Sequence, residues 1–181
     1  MLRTPRAGKM ARMANDGGNP NPFKVTFSAL QVVQSPSDHF LEADWQTILR
    51  APLWTFELMA PGDKAADPKK RAAFAHALEH PPLGNFTAFV YPHVRANLES
   101  LWAARRADTR APMLGLADAE ILLSRYPKPE DAETYRRSLV EIAKAMAATS
   151  SGGLFGFRKK LDAADADALE KLRTVLHVTA D

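Results

Sequence analysis

The chain has no cysteine among its 181 residues, which excludes disulfides, thiolate zinc sites and cysteine nucleophiles and suits a reducing cytosol. Long apolar runs are missing as well. No stretch approaches the roughly 18 residues of a membrane span, and the basic N-terminus lacks the apolar run of about seven or more residues that follows the charged region of a secretory signal. A cytoplasmic protein is the expectation. The first 15 residues are Arg-rich and nearly free of acids, which leaves an organellar transit peptide open beside the simpler reading of a flexible bacterial leader.

Charge of one sign is also scarce. The 24 basic and 21 acidic residues give +3. Arg3, Arg6, Lys9, Arg12 and Lys24 stand against Asp16 in the first 24 residues, so +4 lies there, and 19 basic against 20 acidic groups leave −1 for the remainder. The isoelectric point near 9.3 therefore describes the tail. A near-neutral body offers no electrostatic footprint for nucleic acid, and none is expected as a partner.

What is present is a strong helical pattern. A chain of this length suits one domain and can bury roughly 70% of its unfolded surface. Residues 1–22 are rich in Asn, Asp, Gly and Pro and poor in large apolar groups, and read as a flexible basic tail. Residues 23–37, with Val25, Phe27, Val32 and Val33, read as an extended segment ended by Pro36. Residues 38–181 read as an all-helical domain, a single bundle of about six to seven helices.

Within it, Phe40, Leu41, Trp45, Ile48 and Leu49 give one buried face over residues 38–50, with Ser37 or Asp38 as cap. Pro52 predicts a break at Ala51 and a new helix over 52–60 carrying Leu53, Trp54, Phe56, Leu58 and Met59, stopped by Pro61-Gly62. Asp67 caps the next helix, with Pro68 at its first position and Ala72, Phe74, Ala75 and Leu78 inward as far as Pro81-Pro82. Phe86, Phe89, Val90, Val94, Leu98, Leu101 and Trp102 predict one longer helix kinked at Pro92, and residues 118–125 a short one. Pro129 opens the most strongly patterned helix, with Glu130, Asp131 and Glu133 in its first turn and Tyr135, Leu139, Ile142 and Met146 inward, until Gly152-Gly153 ends it. The last helix spans 162–178 through Leu169, Leu172, Val175 and Leu176. Two helix-break-helix units, around residues 54–68 and 148–162, suggest an internal duplication.

No motif carries chemistry. Gly152-Gly153-Leu-Phe-Gly156-Phe-Arg-Lys-Lys lacks the Ser or Thr, the spacing and the preceding strand of a phosphate loop. It reads as a helix end whose Leu154, Phe155 and Phe157 pin the loop to the core. The alternative is contact with a membrane surface or partner, helped by Arg158, Lys159 and Lys160. His76 and His80 lie four apart on one helix without a third ligand, His93 and His177 are isolated, and His39 lies beside a cap. Asp63, Asp67, Asp162 and Asp165 pose a sharper question, because acids at helix starts either cap orphan amides or converge on a hard cation. Capping accounts for Asp67 and Asp162.

The run Leu49-Arg-Ala-Pro-Leu-Trp-Thr-Phe-Glu-Leu-Met-Ala60 and the run from Glu141 through Ala-Met-Ala-Ala-Thr-Ser-Ser-Gly-Gly-Leu-Phe-Gly-Phe157 resemble the tellurite-resistance TerB-like helical domains, over roughly residues 40 to 178. The resemblance implies a duplicated all-α fold, association with stress-response systems, membranes or larger assemblies, no enzymatic activity, and in some members metal held by acids at the helix breaks. This chain departs from that pattern, with Lys64 for the glycine after Asp63, Lys70 where a glutamate is usual, and Asp165 for the second glutamate. No catalytic, cofactor or metal ligand is therefore assigned. The expected function is a non-catalytic interaction or scaffold domain with a protein partner. Peripheral membrane contact would run through the basic tail or Leu154, Phe155 and Phe157, and a metal-responsive domain is the alternative.

Overall fold

The computed structural model describes residues 35–62, 67–82, 84–150 and 161–179. Nearly all of both the tail and the extended segment, the two glycines at 152 and 153, and Leu154 to Lys160 lie outside them. Among the described residues there are seven α-helices and no strand: α1 (Glu42–Met59), α2 (Pro68–Glu79), α3 (Asn85–Ala96), α4 (Leu98–Ala107), α5 (Pro112–Ser124), α6 (Pro129–Ser150) and α7 (Ala163–Val175). The all-α bundle expected from the sequence is the fold. No helix among the described residues is long and apolar enough to cross a membrane.

The chain enters through a 3-10 turn, Pro36–His39, in which the Asp38 carboxylate accepts from the Ser35 N–H at 2.8 Å. The first α-helix accordingly starts at Glu42 rather than at 38. Leu41, expected on the buried face, precedes that first turn and is 76% exposed.

α1 is the central helix, packed against α5 and α6 and also touching α3, α4 and α7. The break expected at Ala51 does not occur. Pro52 sits inside α1, and all residues from Thr47 to Phe56 except Arg50 are buried. A proline there removes the N–H that would bond the Ile48 carbonyl, and a buried carbonyl without a partner is costly. The Tyr135 hydroxyl on α6 supplies the missing donor, at 2.8 Å from the Ile48 oxygen. Burial pushes the Tyr135 phenol well above its ordinary pKa, so it keeps the proton it donates. Pro92 in α3 breaks no helix either: it lies on an exposed face, and the Ala88 carbonyl that it leaves without a donor belongs to an exposed residue.

The long helix expected over residues 86–102 is two helices, divided at Asn97 and not at Pro92. Asn97 has φ −116° and ψ 17°, and its amide group donates to the His93 carbonyl at 2.9 Å, in competition with the helical ladder. α2 buries Lys70, Phe74 and Leu78, which turns Ala72 and Ala75 outward against expectation and half-buries Ala73 and Ala77. α5 starts at Pro112, six residues before the predicted 118, and it lies so close to α1 that a Cβ on Gly115 would fall 2.2 Å from the Trp54 ring. α6 buries Tyr135, Leu139, Ile142 and Met146 as its spacing predicts. α7 ends at Val175, three residues before the predicted 178. His177 takes the left-handed conformation there (φ 54°), and the Val178 N–H bonds back to the Arg173 carbonyl.

The Pro52 and Tyr135 relation yields a double-mutant cycle readable by urea unfolding. Tyr135→Phe orphans the Ile48 carbonyl and should cost about 1–3 kcal/mol. Pro52→Ala restores a backbone donor for the same oxygen, so in the Tyr135→Phe background it should recover about 1 kcal/mol or more that it does not provide alone. Additive effects would show that the hydroxyl does not stand in for the missing N–H.

Candidate functional site

The end of α1 and the starts of α2 and α7 meet at one buried corner. Asp67 caps α2, its Oδ1 accepting from the Lys69 N–H at 2.8 Å, while Asp162 holds the same place before α7 but makes no capping hydrogen bond. Three residues beyond each cap stand Lys70 and Asp165, and these face each other. The Lys70 ammonium donates to Asp165 Oδ1 at 2.9 Å and to the Met59 carbonyl at 2.5 Å, with the two side chains 3% and 4% exposed. Asp165 Oδ2 is buried with no hydrogen-bond partner.

The arrangement follows from helix-end electrostatics. Met59 is in the last turn of α1, where carbonyls lack helical donors and a cation is favoured, and Asp165 is in the first turn of α7, where an anion is favoured. One lysine from the first turn of α2 thus ties the C-terminus of α1 to the N-terminus of α7. The positive charge that a set of acids would draw from a metal ion is already supplied by a side chain. Among the described residues no group of three or more His, Asp or Glu is placed to hold a metal. Of the four acids singled out from the sequence, Asp63 lies outside the described residues, Asp67 is a cap, Asp162 is exposed, and Asp165 alone is buried with a cation. His76 and His80 stack on each other on the exposed end of α2, ring centres 4.3 Å apart, and His93 donates through Nδ1–H to the Phe89 carbonyl one turn back. His39 packs edge-on against Tyr126.

A second polar cluster has no counterpart in the sequence reading. Arg105 on α4 is buried and its guanidinium is fully engaged: Nε with Glu57 at 2.9 Å, and the two terminal nitrogens with the carbonyls of Asp108 at 2.5 Å and Arg110 at 3.0 Å. Asp108 in turn collects Arg110, through Nε at 3.0 Å, and Arg50 at 3.1 Å. The Arg50 and Arg110 guanidiniums lie 5.6 Å and 5.0 Å from the centre of the Trp54 ring. The hydrogen bond from Arg110 holds the Asp108 carboxyl down at about 2. The cluster holds the turn between α4 and α5, and with it the start of α5. Glu120 and Arg136 fork together at 2.6 and 2.9 Å to tie α5 to α6.

The third feature is a surface. α5 carries apolar side chains outside as well as inside: Leu116, Ala119 and Leu123 face the core, while Leu114 and Ile121 are 60% and 48% exposed on the opposite side, with Asp118 between these two on the same face and paired to Arg110. A fourth is a cleft of about 480 Å³ between α1, α2 and α4, floored by Phe56 and Trp102 and rimmed by Glu57, Glu99, Arg71 and Arg106. Its rim carries two charges of each sign and selects no ligand charge.

Comparison with known proteins found no match: no family model, no curated protein and no solved structure matches the chain.

Two outcomes test these clusters. Removing one partner of the buried pair, by Lys70→Met or Asp165→Asn, should cost about 3–5 kcal/mol in urea unfolding, whereas Lys70→Met combined with Asp165→Leu should recover most of that loss. A double variant as unstable as the sum of the singles would mean that the two groups do not interact. Asp108, with its pKa depressed from 3.8 to about 2, contributes stability that is full above pH 4 and is lost as the pH falls toward 2. The stability gap between wild type and Asp108→Asn should therefore narrow across that window, and a gap independent of pH between 5 and 2 would contradict the ion-pair assignment.

Proposed function

We propose that the chain is a non-catalytic helical interaction domain that docks a protein partner on the outer face of α5. The observation that carries this reading is the exposure of Leu114 and Ile121, seven residues and two turns apart on one face of a helix that also supplies core residues from its other side. The bundle covers the opposite side, and on the outer face Asp118, paired with Arg110, stands between the two apolar side chains, so they form two anchors flanking a charged group on a rigid element. The Arg105 and Asp108 cluster fixes where α5 begins, and the Glu120–Arg136 fork fixes its rotation against α6, so the face is presented rigidly.

The TerB-like resemblance points the same way and adds a stress-response or membrane-associated assembly in the cytoplasm as the setting. The +4 of the first 24 residues would draw an acidic partner or surface by long-range attraction that salt weakens. The competing metal-responsive reading needs a divalent cation at the helix breaks, where Lys70 already supplies the charge.

The test is a photo-crosslinking residue placed at Leu114 or Ile121 in the full chain, expressed in its own cell. A discrete protein adduct at both positions, lost on Leu114→Glu or Ile121→Glu at the other site, and missing at the exposed Lys69 of α2, is the expected result. Equal adduct patterns at all three positions would remove α5 as the docking face.

A further inference from the structure

Three independent observations single out α7. Its N-cap residue Asp162 makes no capping hydrogen bond, whereas Asp67 at the matching place before α2 does. Of the three buried side-chain atoms without a hydrogen-bond partner among the described residues, two are on α7, Asp165 Oδ2 and Arg173 Nε, the third being Trp54 Nε1. Its C-terminal turn closes on His177, the only described residue other than glycine in the left-handed region. Against these costs α7 has one buried ion pair, Asp165 with Lys70, and an apolar stripe of Ala168, Leu169, Leu172 and Leu176 laid on α6, α5 and α1.

We propose that α7 is a detachable cover: it leaves as a unit while α1 to α6 stay folded, and the groove it uncovers accepts another amphipathic helix with a carboxylate in its first turn. This rests on the interaction-domain reading and adds to it a second, gated surface. The chemistry of the acceptable helix is read from what now fills the groove. Lys70, fixed by the Met59 carbonyl, requires an anion at the helix start, and the apolar floor requires small or aliphatic residues three, four, seven and eleven positions later, as Ala168, Leu169, Leu172 and Leu176 follow Asp165. The polar requirement gives the groove its direction. A helix docked the other way round would meet Lys70 with C-terminal carbonyls in place of a full anion and carry its first-turn carboxylate to the far end of the groove. Low-stability elements of this kind are those drawn on for regulated binding, because their opening exposes little surface compared with global unfolding.

Hydrogen exchange of the full chain, followed by mass spectrometry in rising sub-denaturing urea, tests the opening. The amides of α7 should show protection at least about tenfold below those in the middle of α6, with a smaller urea slope, because only the surface of α7 is exposed. Lys70→Met leaves Asp165 buried and unpaired in the closed state, so it should lower α7 protection by a further factor of about a hundred or more. One common protection and one slope for α7 and α6 would overturn the proposal, and should Lys70→Met fail to fold, the wild-type urea series decides by itself. For the groove, a fluorescent peptide of residues 161–179 should bind the full chain in anisotropy titrations, and its Asp165→Asn version more weakly by a factor of about a hundred or more. Equal binding of the two, or none, would overturn the helix-accepting half. Neither readout involves Leu114 or Ile121, so failure here is separate from failure of the α5 face.

Discussion

A carbonyl that has lost its partner in the middle of a core helix must find another, and the bundle is arranged around that need at Ile48. α1 is buried nearly all round at Pro52, so water cannot serve the oxygen, and a tyrosine from α6 reaches in to do so. This sets the distance and rotation of α6 relative to α1. α6 then carries α2, α3 and, through Arg136, α5. The second aromatic alcohol of the core, Tyr91, bonds Ser138 one turn along α6 and holds α3 to the same face. Hydrophobic burial supplies most of the stability of such a bundle, but it is non-directional, and the hydroxyls decide which of several packings is adopted.

The same logic operates at the helix ends. Each break exposes unpaired backbone groups of defined sign, and the fold joins the negative end of α1 to the positive end of α7 through a lysine and an aspartate. Acids cluster by sequence at these breaks, and in the structure the cationic partner of the buried one is Lys70. A tethered ammonium differs from an ion in being part of the chain, independent of supply.

Much of the fold was legible because it is written locally. Asp67 with Pro68 announces a helix start, and the 135, 139, 142, 146 stripe announces a buried face. Where reading failed, the deciding group was distant. Pro52 looks like a break because its rescue lies 87 residues away in Tyr135. α5 starts six residues before the position its sequence suggests because its period is hidden: Leu114 and Ile121 lie outside while Leu116, Ala119 and Leu123 lie inside, so no face stands out, and only Pro112 marks its start. Lys70 reads as a surface charge until α1 and α7 close over it. The acids of the candidate corner were visible as residues, and their separation into cap, exposed residue and buried ion was not, because it depends on which backbone ends converge.

Synthesis on the ribosome gives the Lys70–Asp165 pair a further meaning. Lys70 is made 95 residues before Asp165, and α6, the last wall of the groove, ends 15 residues before it, an interval of about 0.8 to 3 s at typical elongation rates of about 5–20 residues per second. For that time the groove on α1, α5 and α6 is uncovered and its lysine has no counterion. The nascent chain is therefore a natural client for whatever binds an open, cation-marked groove, and the arrival of α7 ends that interval.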